Sequence, residues 1–521
     1  MAVRSLGAQI AFALKGYGVS HVFGVPGVHN LELYRGLNDA GLTHILARHE
    51  QGAGFMADGY ARASGCPGVA FVISGPGLCN IMTPMGQAYS DSVPMLVISS
   101  GLPIGGDLQT KLHQMKDQRL AAETVCDWSV EAKTADEAYA AIDRAFASLQ
   151  IGRARPKHVQ VPLDVLAEMA DAPATPLIVA PPEYRPDLET LAQALRAANH
   201  PMFIVGRGAL GANVAGLAEQ LSAAVFETYA GKAVVPFYYP LNYGSYLARS
   251  GSADEIAKSD VVVVLGSELS EVDLWRAELG ADCNVFVVDI DPNAHPLRDR
   301  AHMIHSECDP VVRALLDALP AQVSDWSQRE VAEARARFRA EVDAERPGIV
   351  PIVEALAEGL PKDLWLVSDM TQFAYVAKEV MPLGHAGQWL HPYGFGTLGY
   401  ALPAAIGAKL AQPDAPILAI AGDYGFQYTM QELGTAAELG LSLPIMIWDN
   451  SELKEITASM AAAQMPPTET TAVNPDFLAL GRAYGCEVAH PKTVSELIAT
   501  IQAGFAADRP TLIRATPEMA L

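Results

Sequence analysis

Short hydrophobic runs, each followed by a polar or glycine-rich turn and then by a stretch with helical spacing, recur along the whole chain. In the first third they fall at residues 21–23, 43–46, 68–73, 95–99 and 158–161. Runs of this length that are apolar at nearly every position read as strands covered on both faces. Their alternation with helical stretches predicts a parallel sheet flanked by helices. The rhythm returns at 201–205, 261–266 and 284–289, and again at 364–368, 417–421, 444–448 and 511–514. An Ala- and Pro-rich stretch at 166–186 interrupts it and reads as a linker. A charged helical stretch at 327–345 leads through Arg346, Pro347 and Gly348 into the last unit. The prediction is an α/β protein of three consecutive doubly wound parallel-sheet domains: residues 1–165, a linker at 166–186, a central domain with its connecting helix at 187–345, and a C-terminal domain at 346–521.

Composition narrows the function. A chain of 521 residues holds about three domains of ordinary size. The net charge of −23, with lysines and arginines scattered, excludes a nucleic-acid surface. Any phosphate must then be held by backbone N–H groups and a metal. Six cysteines, widely spaced and without a CxxC pair, read as reduced thiols of a cytoplasmic protein. The chain opens directly into an amphipathic helix, and no apolar run approaches the roughly 18 residues that span a bilayer. Neither a membrane nor a nucleic acid is expected as a partner.

Two turns in the last unit carry candidate chemistry. Gly422-Asp423-Tyr424-Gly425 follows the apolar run 416–421, and Asp449-Asn450-Ser451-Glu452 follows 443–448. Residues 429–439 have helical periodicity, so the two turns emerge side by side at the carboxyl edge of one sheet, where open α/β sheets bind ligands. Oxygen donors with few carboxylates suit Mg²⁺ held partly by a ligand's phosphates. Taken alone, the pair describes an Asx turn and a helix cap equally well. In the first unit, three segments lie at strand ends: Val25-Pro26-Gly27, the start of a small-residue helix at Glu50, and Ser74-Gly75-Pro76-Gly77-Leu78-Cys79-Asn80. A glutamate in a first helical turn also serves to offset the helix dipole.

In these motifs, together with Gly394-Phe395-Gly396-Thr397-Leu398-Gly399 and the middle domain, the chain resembles the thiamine-diphosphate-dependent enzymes of the acetolactate synthase, benzoylformate decarboxylase and pyruvate decarboxylase superfamily. The resemblance covers essentially the whole chain. It implies that the three domains are pyrimidine-binding, central and diphosphate-binding, and that the cofactors are thiamine diphosphate and Mg²⁺. It implies that Glu50 hydrogen-bonds N1′ of the aminopyrimidine, and that Asp423, Asn450 and the backbone carbonyl of Glu452 bind the metal. Gly396 and Leu398 would meet the pyrimidine, with Leu398 bending the cofactor. Pro26, Gly27, Asn80, Gln372, Gly422, Tyr424 and Gly425 would complete the cofactor site. Two departures stand inside the motifs: Tyr424 replaces a glycine and Asp449 an asparagine, neither being a metal ligand.

The same resemblance implies a 2-oxo acid decarboxylase acting through a C2 carbanion and an enamine. It also implies a homodimer or homotetramer whose active site lies across subunits. Candidate proton donors or carboxylate-orienting groups are His29 and His113, with Asn30, Gln114 and Glu455 as further substrate contacts. The chain lacks the Arg-Phe-Asp-Asp-Arg type segment that acetolactate synthases connect with their flavin, so FAD is not expected, although Gly206-Arg207-Gly208 has the composition of a nucleotide turn. In its place runs the acidic stretch from Glu268 to Asp273, which looks like the 5-guanidino-2-oxopentanoate (2-ketoarginine) decarboxylase branch. Carboxylates there, or at Glu452 and Glu455, would suit a guanidinium. The alternatives are an acetolactate-synthase-type carboligase and a cofactor-binding regulatory protein without activity.

Overall fold

A computed structural model describes residues 3–105, 110–177, 179–180, 182–471 and 473–521. Ile178 and Pro181 of the predicted linker lie outside the described residues. Three six-stranded sheets, each wholly parallel, follow one another along the chain. In the first the order is Thr43–Leu46, His21–Gly24, Gly68–Val72, Met95–Gly101, Lys157–Pro162 and Trp128–Glu131. In the central sheet it is Asn242–Gly244, Ala224–Glu227, Pro201–Val205, Val261–Leu265, Asn284–Asp289 and His302–His305. In the third it is Trp389–Leu390, Trp365–Ser368, Ile417–Gly422, Pro444–Trp448, Thr511–Ala515 and Glu487–Ala489. The inner strands are buried at nearly every residue, as parallel strands between two helical layers must be. In a small antiparallel ladder, Arg4–Ser5 pairs with Met169–Ala170, which ties the start of the linker to the first unit.

The first and third units meet through two helices, Glu50–Ser64 and Ala401–Ala411. Glycines set how close they come. A Cβ at Gly59 would stand 2.0 Å from the Ala404 carbonyl oxygen, and one at Gly407 would stand 1.9 Å from that of Met56. Beside this crossing, Arg62 is sealed from solvent and donates to Asp58 at 2.6 Å and to Asp91 at 2.8 Å, while the Tyr400 hydroxyl donates to Asp58 at 2.6 Å. A buried cation costs several kcal/mol unless its partners remain. Asp58→Ala is therefore expected to destabilise the protein by about 3–5 kcal/mol in chemical denaturation; a loss under about 1 kcal/mol would show that Asp91 alone suffices.

The central unit is held to the first by Arg153, which reaches Asp289 at 2.6 Å and Glu268 at 3.3 Å, and by Arg155, which reaches Glu268 at 3.3 Å. Among the described residues no helix is long and apolar enough to cross a membrane. All six cysteines are free thiols.

Candidate active site

The register Gly422↔Trp448 puts the ends of two adjacent parallel strands level. The residues that follow, Asp423 and Asp449–Asn450, therefore leave the sheet side by side. Asp423 opens the short helix Asp423–Phe426 with its carboxylate buried at 3% exposure. Burial raises its pKa and so does the charge of Asp449; a hydrogen bond from Asn474 and the backbone N–H of Ser451 oppose the rise. Asn474 is a residue the motif reading missed. Its Nδ2 donates to Asp423 at 2.6 Å and to Asp449 at 2.9 Å, and its Oδ1 accepts from Gln427 at 3.1 Å. One carboxamide thus holds two like charges together, which no sequence spacing signals.

Asp449, the departure from the family's asparagine, is explained by its partner. Arg514, on the neighbouring strand, donates to it at 2.6 Å. Burial works to raise the Asp449 pKa, but Arg514 outweighs it and holds the carboxyl below its ordinary range. Asn450 accepts from the Glu452 backbone N–H at 3.2 Å and donates to Gln372 at 3.4 Å. The Glu452 side chain pairs with Lys454 at 3.1 Å, which leaves only its backbone for the expected metal role.

Gly396 and Leu398 sit on a loop braced by Asp369, a second residue the motifs did not single out. The buried Asp369 carboxylate accepts from the Gly399 and Met370 N–H groups, both at 2.8 Å, and burial pushes its pKa up to about 6. Gly396 has φ +66°, a conformation that favours glycine, and a Cβ there would meet only the tip of Met370 at 3.2 Å. Leu398 lies 3.5 Å from where a Cβ at Gly425 would stand, so this loop and the Asp423 turn face one space. Tyr424 is partly exposed and packs edge-on against Tyr428.

The second group gathers at the edge of the first sheet. Glu50 is buried and accepts from Asn80 Nδ2 at 2.9 Å; a Cβ at Gly77 would stand 3.3 Å from its Oε1. The N-terminus of its helix is steadied from the third unit, where the buried Glu432 accepts from the Arg48 and His49 N–H groups at 3.0 Å. His29 Nδ1 lies 2.7 Å from Ser74 Oγ, and the His29 and His113 rings meet edge-on with centroids 4.8 Å apart. Burial, and after it the neighbouring His113, lower the His29 pKa. His113 has φ +62° and a buried Nδ1 with no hydrogen-bond partner.

Other expected contacts are spent locally. Asn30 is fully buried and its carboxamide closes the turn around Pro26 and Gly27, accepting from Gly27 N at 2.7 Å and donating to Val25 O at 3.2 Å. Gln114 is exposed and accepts from Lys111 N. Glu455 is bidentate with Arg346 at 3.0 Å and accepts from Gln372 at 2.9 Å. In the acidic stretch Glu268 binds Arg153 and Arg155 and Asp273 returns to Ser270 as a helix cap, which leaves the exposed Glu271 as its one carboxylate without a hydrogen bond or ion pair among the described residues. Nor is the Gly206 turn an open cradle, because Cβ atoms at Gly206 and Gly208 would collide with Gly266.

No hydrogen bond, ion pair or ring contact among the described residues joins the Glu50 group to the Asp423 group. The loop of Tyr393 to Thr397 docks on the far half of the helix Pro76–Ser90: Thr397 bonds Gln87 at 2.9 Å and Gly394 N bonds Asp91 at 2.8 Å. Asn80, beside Glu50, lies seven residues earlier on that helix, about 10 Å away at 1.5 Å per residue. The oxygen donors at Asp423 and Asn450 and the open backbone at Gly396 fit Mg²⁺ and a diphosphate-bearing group. The third unit holds the one, the first unit the carboxylate at Glu50.

Residues 4–120 match the thiamine pyrophosphate enzyme N-terminal TPP binding domain, residues 188–315 its central domain and residues 369–515 its C-terminal TPP binding domain. A protein named probable 2-ketoarginine decarboxylase AruI, from Pseudomonas aeruginosa, is 42% identical, covering 97% of this chain and 93% of its own. From Escherichia coli, the acetolactate synthase isozyme 2 large subunit is 30% identical over 97% of this chain and 94% of its own, and that of isozyme 1 is 29% identical over 86% and 82%. With all three domains matched in order and relatives aligned along nearly its full length, the chain belongs to the thiamine pyrophosphate enzymes, as a decarboxylase or carboligase of 2-oxo acids.

Proposed function

We propose that the protein is a thiamine-diphosphate- and Mg²⁺-dependent decarboxylase of 2-oxo acids, with a cationic acid such as 5-guanidino-2-oxopentanoate as its substrate. The observation that carries the chemistry is the buried Glu50, held by Asn80 at 2.9 Å at a sheet edge. Asp423, the Asn450 side chain and the Glu452 carbonyl would hold Mg²⁺, with Gln372 and the 422–425 turn on the diphosphate. When bound, the cofactor supplies the carbon nucleophile and the electron sink of the reaction.

The protein's own part is to place charges and protons. The Glu50 carboxyl would give a proton to N1′ of the pyrimidine and take it back, with Asn80 holding its second oxygen. Leu398 and Gly396 would hold the pyrimidine ring in place. His29, oriented by Ser74 at Nδ1, keeps its other ring nitrogen for proton delivery, and His113 stands beside it. Placement of Glu50 on the first unit and Asp423 on the third supports a homodimer, or a tetramer of dimers, in which the first unit of one copy faces the third unit of another. Free cysteines and the lack of a membrane-spanning helix among the described residues are in keeping with a cytoplasmic protein.

The cationic substrate is supported by the 2-ketoarginine decarboxylase relative and by Glu341, whose carboxylate lines the cavity between the central and third units and has no basic partner among the described residues. Purified protein with Mg²⁺ and thiamine diphosphate is expected to release CO₂ from 5-guanidino-2-oxopentanoate at least tenfold faster, by kcat/KM, than from 2-oxopentanoate. Chelating the metal should abolish both rates. Equal rates overturn the cationic substrate, and acetolactate-type products from pyruvate would establish the carboligase instead.

A further inference from the structure

The cavity between the central and third units measures about 610 Å³ and is walled by charge. Most of that charge is already paired. Arg249 holds Glu379 at 2.6 Å and Glu345 at 2.5 Å, Arg346 holds Glu455 and Glu345, and Arg276 donates to backbone carbonyls. Lys378 is different. Its Nζ lies 3.9 Å from the centroid of the Tyr229 ring and 5.0 Å from that of Tyr375, and it forms no ion pair among the described residues. The acids whose charge it feels, Glu379 and Asp273, are engaged by Arg249 and Ser270. Burial pulls its pKa down to about 8, which still leaves a cation at neutral pH.

Two aromatic faces offset only part of the cost of desolvating an ammonium. The missing part is a counter-ion, and the cavity has room for one on an organic molecule. Its inner wall includes Met370 and Glu455. The first touches the position of Gly396, and the second bonds Gln372, so a molecule in the cavity abuts the residues given to the cofactor.

We propose that this cavity is the substrate pocket and that Lys378, clasped by Tyr229 and Tyr375, binds the carboxylate of the incoming 2-oxo acid. This rests on the decarboxylase reading above. It gives the pocket a way to tell substrate from product, because the aldehyde left after loss of CO₂ brings no anion to the ammonium. Lys378 is here a binding residue and not a proton donor.

The test uses cofactor-free protein, in which nothing can turn over. Calorimetric titration with 2-oxopentanoate is expected to show binding to the wild type, about 10- to 100-fold weaker binding to Lys378→Met, and near wild-type binding to Lys378→Arg, since a charge-assisted hydrogen bond is lost only in the first variant. Lys378→Met should melt no lower than the wild type, as it removes a cation without a partner. Unchanged affinity in Lys378→Met, equal affinity of the wild type for the uncharged 2-pentanone, or no binding to the wild type overturns the proposal. CO₂ release by loaded wild-type enzyme is scored separately. Turnover without this binding sinks the pocket and leaves the decarboxylase, whereas binding without turnover of any 2-oxo acid sinks the decarboxylase.

Discussion

Glu50→Gln is expected to keep less than about a tenth of wild-type decarboxylation, and a loss of 10²–10⁴-fold is the usual worth of positioned acid–base assistance. The substitution is chosen to leave the structure alone. Glutamine keeps an oxygen to accept from Asn80, fills the same volume in a helix start that Glu432 steadies from the third unit, and removes only the ability to exchange a proton. Binding of thiamine diphosphate and Mg²⁺ should therefore change little while kcat collapses. That split separates a proton-transfer role from a scaffolding one. A variant retaining more than about a tenth of the rate would falsify the assignment of Glu50 to N1′. Lost cofactor binding with an intact rate at saturation would give Glu50 a positioning role only.

Asp423→Ala is expected to cost at least about 100-fold in Mg²⁺-supported thiamine diphosphate affinity, the upper end of what removing even an outer partner of a metal costs. Burial and the charge of Asp449 already work against this carboxylate, so the cofactor-free variant should melt near the wild type. The measurement is thermal unfolding with and without Mg²⁺ plus thiamine diphosphate. Ligand at 100 times its dissociation constant stabilises by about 2.7 kcal/mol, and the variant should lose most of that shift. A full shift in Asp423→Ala would remove this residue from the metal site, and would leave the Asn474 contact as an Asx-type loop anchor.

Much of the architecture is legible along the chain. The strands Pro201–Val205 and Pro444–Trp448 coincide with the predicted runs residue for residue, because a parallel strand buried on both faces is apolar nearly throughout; Asn284–Asp289 and the edge strand Thr43–Leu46 coincide as well, the latter with only Ile45 buried. The pattern does not find Trp128–Glu131, Asn242–Gly244, His302–His305, Trp389–Leu390 or Glu487–Ala489. All five lie at sheet edges; Trp128–Glu131, His302–His305 and Glu487–Ala489 are partly exposed, while Asn242–Gly244 and Trp389–Leu390 are buried but too short to carry a pattern. Ala224–Glu227 is an inner strand that is also missed; its apolar run is short and ends at a charged residue that is buried against the Val235 N–H. The helix expected at 429–439 divides into a tight turn at Met430–Glu432 and a short helix, Leu433–Glu438, and the break points Glu432 back at the Glu50 helix.

The order of residues by itself settles three parallel sheets in succession, the strand ends where Glu50, Asp423 and Asn450 emerge, and, through motif resemblance, the cofactor family. Those features depend on local periodicity and on groups fixed to strand termini. Which side chains meet is a property of packing. Asn474 bridges Asp423 and Asp449 from 51 and 25 residues away, Arg514 neutralises Asp449 from the adjacent strand, Arg153 takes up Glu268, and Lys378 is left between two tyrosines without a counter-ion among the described residues. No spacing rule reaches these, since each contact exists only after the sheets have aligned their edges and the domains have closed on one another. That closure decides which of the many charged residues here are spent on holding the fold and which remain free to meet a ligand.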